Sequence, residues 1–367
     1  MKSHYKNIFT VVSLAIMAVG CTGSGPVAYQ KINNAATSTL PQVVPPPVNN
    51  LTPPPSGKQP QFVVMAFDGS RSLDMWQNTL DFAQEMSQAG HPVHFTYFLS
   101  GVYFLNWRKA NSYLPPQKPA GTSLIGFADS NLDVEKRVAF VNRALAEGHE
   151  IGSHLNGHFD GSKWTLQDWQ QEFSQFNNLI FNIAPNNDVD PLDAGRYNIH
   201  LSQADMIGFR APDLGKNNAM YQVLKDNGYA YDTSGVGKAT DWPKKLPNGL
   251  WEFPLAQINY ATSTSKILSM DYNFYFKQSA AKDVAKQGDE KWNKFFNDTY
   301  TSYINYFNQN YQGGRAPVFI GSHFSEWNDG AYWEAMKKFA QDVCVQPEVK
   351  CVDFKELMDY LNTRDNK

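Results

Sequence analysis

The sequence predicts a single α/β domain in which parallel strands alternate with crossover helices, arranged as a barrel or an open sheet. Short apolar runs typical of buried strands recur from residue 62 onward, and stretches of helical periodicity separate them. No internal repeat breaks this alternation. The 367 residues leave about 300 for the domain, which is enough for one large α/β body.

The predicted elements follow one another in a regular order. The first is a buried strand at 62–67, and an amphipathic helix at 73–90 follows it. Further strands are predicted at 92–99, 149–153, 206–210, 229–232, 250–255, 317–322 and 349–354. Further helices are predicted at 133–148, 217–228, 278–309, 331–341 and after residue 354.

Residues 1–20 predict a targeting segment that precedes the fold. Lys2 and Lys6 come before an apolar run, Ile8 to Val19, whose 12 residues are too few to span a bilayer as a helix. The segment resembles a bacterial lipoprotein signal, which would leave Cys21 as the lipid-modified first residue on the membrane. The absence of Asp at the next position favours the outer membrane. An ordinary secretory signal is the alternative, and both predict an extracytoplasmic protein.

The composition predicts a Pro-rich tether over residues 21–60, followed by the single α/β domain over residues 61–367. Eight prolines lie between residues 41 and 60, a composition that favours an extended chain. If Cys21 carries lipid, Cys344 and Cys351 remain as a pair, and a disulfide is expected in an oxidising compartment.

The charge and the aromatic content of the chain indicate which classes of partner it could bind. The formal net charge is -3 and no basic block is present, which argues against a nucleic-acid partner. Aromatic residues make up 14% of the chain, which suits either a sugar-lined groove or an aromatic core. Four tryptophans are candidates for either place: Trp164, Trp242, Trp251 and Trp327. The oligomeric state leaves no trace in the sequence.

Ionisable side chains close five of the predicted strands. They are Asp68, His154, Arg210, Asp232 and His323. In folds of this class the carboxyl ends of parallel strands collect the chemistry at one edge. The sequence therefore predicts a site that unites these side chains.

His154 and His158 lie four residues apart and could both reach one metal ion if they share a face of a helical turn. Two histidines, a carboxylate and a water position would make a hydrolytic metal site. The alternative is a pair of exposed or hydrogen-bonded histidines. For Asp68 the simpler interpretation is an Asp-Gly turn. His323 has the chemistry to protonate a leaving amine.

Taken in order, these motifs resemble the polysaccharide deacetylase family, carbohydrate esterase family four, whose members share the NodB-homology domain. The matching stretches are AFDGS (66–70), HLNGH (154–158), RAPD (210–213), DTSG (232–235) and IGSH (320–323). The resemblance implies a distorted (β/α) barrel. It also implies a metal-dependent hydrolase that removes N-acetyl groups from N-acetylglucosamine units of chitin, peptidoglycan or an exopolysaccharide.

The resemblance implies a role for each matching residue. His154 and His158 would hold the divalent metal, which the ligand types allow to be zinc, cobalt or nickel. Asp68 would be the general base or a further metal ligand.

Four roles complete the implied site. Arg210 would brace Asp68. His323 would be the general acid, tuned by Asp232, and the backbone N–H of Asp213 would help to hold the oxyanion.

The chain departs from the family pattern in two places. The family has two adjacent acids in the first motif, whereas here Gly69 follows Asp68. Asp74, Asp160 or a water molecule are candidates for the missing ligand. The second departure is Asp213, which stands where an aromatic residue is usual.

Two alternative functions follow from the missing acid and from the scaffold. One is a catalytically degenerate domain that binds a glycan without hydrolysing it. The other is a hydrolase of O-acetyl esters or of non-sugar amides.

Overall fold

The computed structural model describes residues 58–365, without the side chain of Asp365. The predicted signal segment, Cys21 and nearly all of the Pro-rich tether lie outside the described residues. Within 58–365, no helix is long and apolar enough to cross a membrane.

The strands and helices alternate along most of the described chain. The strands are β1 (Gln61–Asp68), β2 (Phe95–Leu99), β3 (Glu150–Ser153), β4 (Gly208–Phe209), β5 (Tyr231–Asp232), β6 (Val236–Lys238), β7 (Lys244–Lys245), β8 (Trp251–Glu252), β9 (Leu255–Asn259), β10 (Lys266–Leu268), β11 (Val318–His323) and β12 (Val349–Val352). The α-helices are α1 (Leu73–Gln88), α2 (Asn131–Ala146), α3 (Leu166–Phe181), α4 (Ile183–Asn186), α5 (Asn218–Asp226), α6 (Asp271–Ser279), α7 (Glu290–Gln312), α8 (Trp327–Val343) and α9 (Phe354–Asp365).

The main sheet confirms the predicted α/β class. Its strand order is β11-β1-β2-β3-β4-β5-β8-β7, and β12 pairs with the beginning of β1. All of these neighbours are parallel except β7 and β8. The sheet curls into an open half-barrel with helices around it, as a distorted (β/α) barrel requires.

Strand β1 has apolar residues on both faces and is buried between two hydrophobic clusters. All eight residues are buried, and Met65 and Phe67 join one hydrophobic cluster while Phe62 and Val64 join another. A continuous apolar run of this kind is typical of a parallel strand covered on both sides. Many aromatic residues of the chain pack in these clusters, including Trp251 at 3% exposure.

The register of the sheet brings the predicted strand ends together. Asp68 at the end of β1 lies opposite His323 at the end of β11. Ser153 pairs with Phe209, so His154 and Arg210 follow at the same edge. Five strand ends predicted to carry the chemistry therefore do meet at one edge of the sheet.

A second, smaller sheet was not predicted. It has the order β10-β9-β6. In the chain, β6 comes directly after β5, whereas β9 and β10 come between β8 and β11. A bridge joins Met270, directly before α6, to Gly321 of β11, which places this segment against the end of β11. The expected disulfide is present, and it joins Cys344 to Cys351 with 5.8 Å between their Cα atoms.

Candidate active site

A cavity of about 210 Å³ opens at the carboxyl edge of the main sheet. Five of its lining residues were predicted from the sequence: Asp68, His154, His158, Asp213 and His323. The remaining lining residues are Ala211, Leu214, Leu268, Met270, Tyr272 and Asn273. The cavity thus combines titratable groups with apolar walls, as expected of a binding or catalytic site.

Asp68 and Arg210 form a buried ion pair beneath the cavity. Arg210 Nη1 donates to Asp68 Oδ1 at 2.8 Å, and Arg210 Nη2 donates to Thr233 Oγ1 at 3.2 Å. The guanidinium also lies 4.8 Å from the ring centre of Phe98. Burial by itself raises the pKa of Asp68, but the Arg210 charge and the nearby histidines outweigh it and lower that pKa. Asp68 is therefore an ionised carboxylate held in place by Arg210.

His154 is fixed in one tautomer by the backbone. Its Nδ1 lies 2.8 Å from the Arg210 carbonyl oxygen, and because a carbonyl only accepts, Nδ1 carries the proton. The Nε2 atom is buried, with no hydrogen-bond partner among the described residues. Burial lowers the pKa of His154 to about 3, so the ring is neutral at physiological pH. A neutral imidazole with a free nitrogen at a cavity has the form of a metal ligand.

His158 lies beside His154, but not on a helical turn as predicted. Leu155 and His158 have φ values of 53° and 60°, so the backbone leaves the helical region twice within this loop. The two imidazole centres are nevertheless 5.2 Å apart. Asp213 Oδ1 lies 3.8 Å from His158 Nδ1 on the outer side of the cavity. The loop after β3, and not helical spacing, brings the two rings together.

His323 is held by a carboxylate that the sequence did not reveal. Its Nδ1 donates to Asp271 Oδ1 at 2.6 Å, and its backbone N–H donates to Asp271 Oδ2 at 2.8 Å. Ser322 Oγ donates to the same Oδ2 at 3.0 Å, and Asp271 is only 2% exposed. Burial by itself lowers the pKa of His323, but the Asp271 charge overcomes this and raises that pKa above its ordinary value.

Asp232 was predicted to tune His323, but the hydrogen-bond partner of the His323 ring is Asp271 and not Asp232. Asp232 Oδ1 accepts hydrogen bonds from the backbone N–H of Ser234, at 3.1 Å, and from its hydroxyl, at 2.5 Å. The Ser234 hydroxyl in turn accepts from the Ala211 N–H at 2.8 Å. Burial raises the pKa of Asp232 to about 6. Asp232 thus supports the loop that follows Arg210, whereas Asp271 supplies the partner of His323.

The structure also tests the candidates for the missing acid. Asp74 is exposed on α1, and Asp160 is exposed and accepts a hydrogen bond from the Ser162 N–H at 2.8 Å. Neither belongs to the cavity lining in the described part of the chain. Gly69 has φ of 87°, a conformation that an aspartate rarely adopts, so the backbone itself disfavours a second acid there. Asp213, with φ of 52°, is the second carboxylate that does line the cavity.

A separate His and carboxylate cluster lies near the beginning of β2. Among residues 58–365, His94, Asp353 and Glu356 are three candidate ligands whose atoms lie within 4.8 Å of one another. Asp353 Oδ1 accepts the N–H of Glu356, and Glu356 Oε2 accepts the N–H of Asp353. This reciprocal pattern caps the beginning of α9 and accounts for the cluster without an ion.

The chain is similar to known proteins in structure and not in sequence. No protein-family model matches the chain, and no curated protein matches it. Several solved structures are similar. One, from Mycobacterium smegmatis and assigned to the polysaccharide deacetylases, has 13% identity and a TM-score of 0.49, over 83% of this chain and 91% of its own. Other similar structures are described as members of carbohydrate esterase family four.

Two further neighbours differ in their catalytic state. The peptidoglycan deacetylase PdaC from Bacillus subtilis has 12% identity and a TM-score of 0.41, covering 83% of this chain and 94% of its own. A family-four pseudoenzyme from Bacillus anthracis has 9% identity and a TM-score of 0.41, covering 82% and 66%.

Proposed function

We propose that the protein is a metal-dependent hydrolase that removes N-acetyl groups from N-acetylglucosamine units of a glycan such as chitin, peptidoglycan or an exopolysaccharide. One observation carries the proposal. A base held by a buried arginine (Asp68–Arg210) and an acid held by a buried carboxylate (His323–Asp271) border one cavity. Amide hydrolysis needs a group that takes a proton from water and a group that gives one to the leaving nitrogen.

The residues of the cavity fit a divalent metal. The buried Nε2 of His154 has no partner in the described structure, and His158 lines the same cavity. These two histidines would hold the ion, and imidazole ligands suit zinc, cobalt or nickel. Asp213, beside Nδ1 of His158, would orient that ring. When bound, the metal would polarise the acetamide carbonyl and lower the pKa of a water.

The protein groups then divide the proton transfers. Asp68, ionised and fixed by Arg210, would take a proton from the attacking water. His323 would protonate the leaving nitrogen, because the Asp271 carboxylate stabilises the protonated ring and raises its pKa. The backbone N–H of Asp213 would donate to the developing oxyanion. With Asp68 acting as the base, the two histidines would be the protein ligands of the ion, and water and substrate would complete its coordination.

One feature favours a second candidate function. The first motif has a single acid, and a metal held by two histidines without a fixed carboxylate binds less tightly. The alternative is therefore a domain that binds a glycan without hydrolysing it. The same catalytic side chains could also serve a hydrolase of O-acetyl esters or of non-sugar amides. Arg210 holds Asp68, and Asp271 holds His323. These two contacts favour catalysis, because glycan binding alone requires neither a fixed base nor an acid with a raised pKa.

We propose an extracytoplasmic location, with the lipid on Cys21 attaching the protein to the outer membrane and the Pro-rich tether holding the domain away from it. The supporting feature is the N-terminal signal pattern. Mass spectrometry of the mature protein would detect an acylated N-terminal cysteine, and an unmodified N-terminus would exclude the lipid anchor.

Metal content and rate, measured on the same variants, test the catalytic proposal. His154→Ala is expected to lose the bound metal, as measured by inductively coupled plasma mass spectrometry. His323→Ala is expected to retain the metal and to lose acetate release from N-acetylglucosamine oligomers. Metal retained in His154→Ala would contradict the proposed ligand.

A further inference from the structure

The segment that completes the active site comes from outside the recognised motifs. Strand β10 and helix α6 bring Leu268, Met270, Tyr272 and Asn273 into the cavity lining. Asp271, in the middle of this run, holds His323. The same short stretch therefore positions the acid and forms the wall next to it.

Three aromatic side chains pack together at this side of the cavity, and we call them the aromatic wall (Tyr272, Tyr275 and Trp327). Of these three, Tyr272 is the one that lines the cavity in the described part of the chain. Tyr275 stacks on Trp327 with ring centres 4.7 Å apart and planes 4° apart. Tyr272 contacts Trp327 edge-on at 5.5 Å. Tyr275 is buried at 6% exposure, whereas Tyr272 is 43% exposed. The stack fixes Trp327 in place, and Trp327 supports a Tyr272 ring that still reaches solvent.

The position of Tyr272 relative to His323 is the decisive geometry. Their ring centres are 6.2 Å apart, and Trp327 lies 5.3 Å from His323. His323 protonates the leaving nitrogen in the proposed reaction, so the carbon attached to that nitrogen has to lie beside His323. In an N-acetylated aminosugar this carbon belongs to the pyranose ring, which therefore has to lie beside the aromatic wall.

We propose that Tyr272, supported by Trp327, binds the apolar face of the pyranose ring that carries the acetamide. Asn273, half-buried and lining the same cavity, is placed to hydrogen-bond a hydroxyl of that sugar. This inference rests on the proposed function and narrows it to cyclic aminosugar substrates. An acyclic amide would leave the exposed Tyr272 ring without a partner.

Binding of N-acetylglucosamine oligomers, measured by calorimetry on the full chain, tests the inference apart from turnover. Tyr272→Ala is expected to weaken binding about tenfold and to raise KM by a similar factor, with a smaller change in kcat. Tyr272→Phe keeps the ring and is expected to bind as the wild type does. The matched control is Phe276→Ala, which removes a ring on the same helix that is 61% exposed and does not line the cavity.

The outcomes separate the two proposals. If the wild type binds the oligomers and Tyr272→Ala binds them equally well, the sugar contact is refuted while the hydrolase proposal stands. If Tyr272→Phe loses as much affinity as Tyr272→Ala, the ring face is not the binding element and the inference also fails. If the wild type neither binds the oligomers nor releases acetate from them, the proposed function fails first. Thermal melting of each variant checks that the fold is intact.

Discussion

Replacing Asp271 by asparagine tests the support of the general acid. Asp271 accepts four hydrogen bonds. Its Oδ1 accepts from His323 Nδ1 and from the Tyr272 N–H, and its Oδ2 accepts from the His323 N–H and the Ser322 hydroxyl. An asparagine side chain has one accepting oxygen and one NH2 group. In either orientation the NH2 group faces donors that Asp271 accepts from, so hydrogen bonds are lost on that side. A hydrogen bond to a charged group contributes about 1.5–3 kcal/mol.

That energy sets the expected loss of rate. Since about 1.4 kcal/mol corresponds to tenfold in rate, Asp271→Asn should lower kcat for acetate release about 10- to 100-fold. The raised pKa of His323 depends on Asp271, so the variant should lose its protonated acid at a lower pH. The fall of kcat on the alkaline side should therefore move to lower pH. The bound metal should stay at the wild-type level, because Asp271 contacts neither His154 nor His158 in the described structure.

Asp232→Asn is the comparison that can refute this reasoning. Asp232 bonds to Ser234 and not to His323, so its variant should lose thermal stability while keeping the position of the pH profile. If Asp271→Asn keeps the wild-type kcat while Asp232→Asn shifts the pH profile, the assignment of the acid's partner is wrong.

Three further changes test other parts of the account. Asp68→Asn should lower kcat at least about 100-fold with the metal retained, and loss of metal would make Asp68 a ligand. Asp213→Asn should weaken zinc affinity about tenfold in competition with a chelator, and an unchanged affinity would exclude Asp213 from orienting His158. Burial raises the pKa of Glu172 from 4.5 to about 7, so the folded state retains a proton that the unfolded state has lost, and stability falls by about 3 kcal/mol between these pH values. Glu172→Gln should therefore be more stable than the wild type at pH 8 in urea denaturation but not at pH 4, and equal stability at pH 8 would contradict the raised pKa.

The strand ends could be predicted because their signals are local. β1 and β11 are continuous apolar runs that end in one ionisable residue each, and a parallel sheet then brings Asp68 and His323 to the same edge. The brace between Arg210 and Asp68 followed from motif order and is present in the structure at 2.8 Å.

The features that could not be predicted depend on contacts between residues that are far apart in the sequence. Asp271 lies 52 residues from His323, on a helix whose sequence carries no recognised motif. The β10–α6 segment was not predicted. The helix expected at 278–309 corresponds to α7 and overlaps only the last two residues of α6, and the short strands nearby have too few residues for a period to show. Asp232 stands in the expected motif, but the path of the β10–α6 segment decides which carboxylate reaches His323.

In the function that we propose, this cavity hydrolyses an acetamide with the help of a divalent metal. Acetate release from N-acetylglucosamine oligomers by the purified protein, measured after chelation and again after adding back zinc, cobalt or nickel, tests it most directly. We expect no release after chelation and recovery with at least one of these metals, and no recovery in His323→Ala. No acetate from the wild type with any of the three metals, on either chitin oligomers or peptidoglycan, would contradict it and favour the glycan-binding alternative.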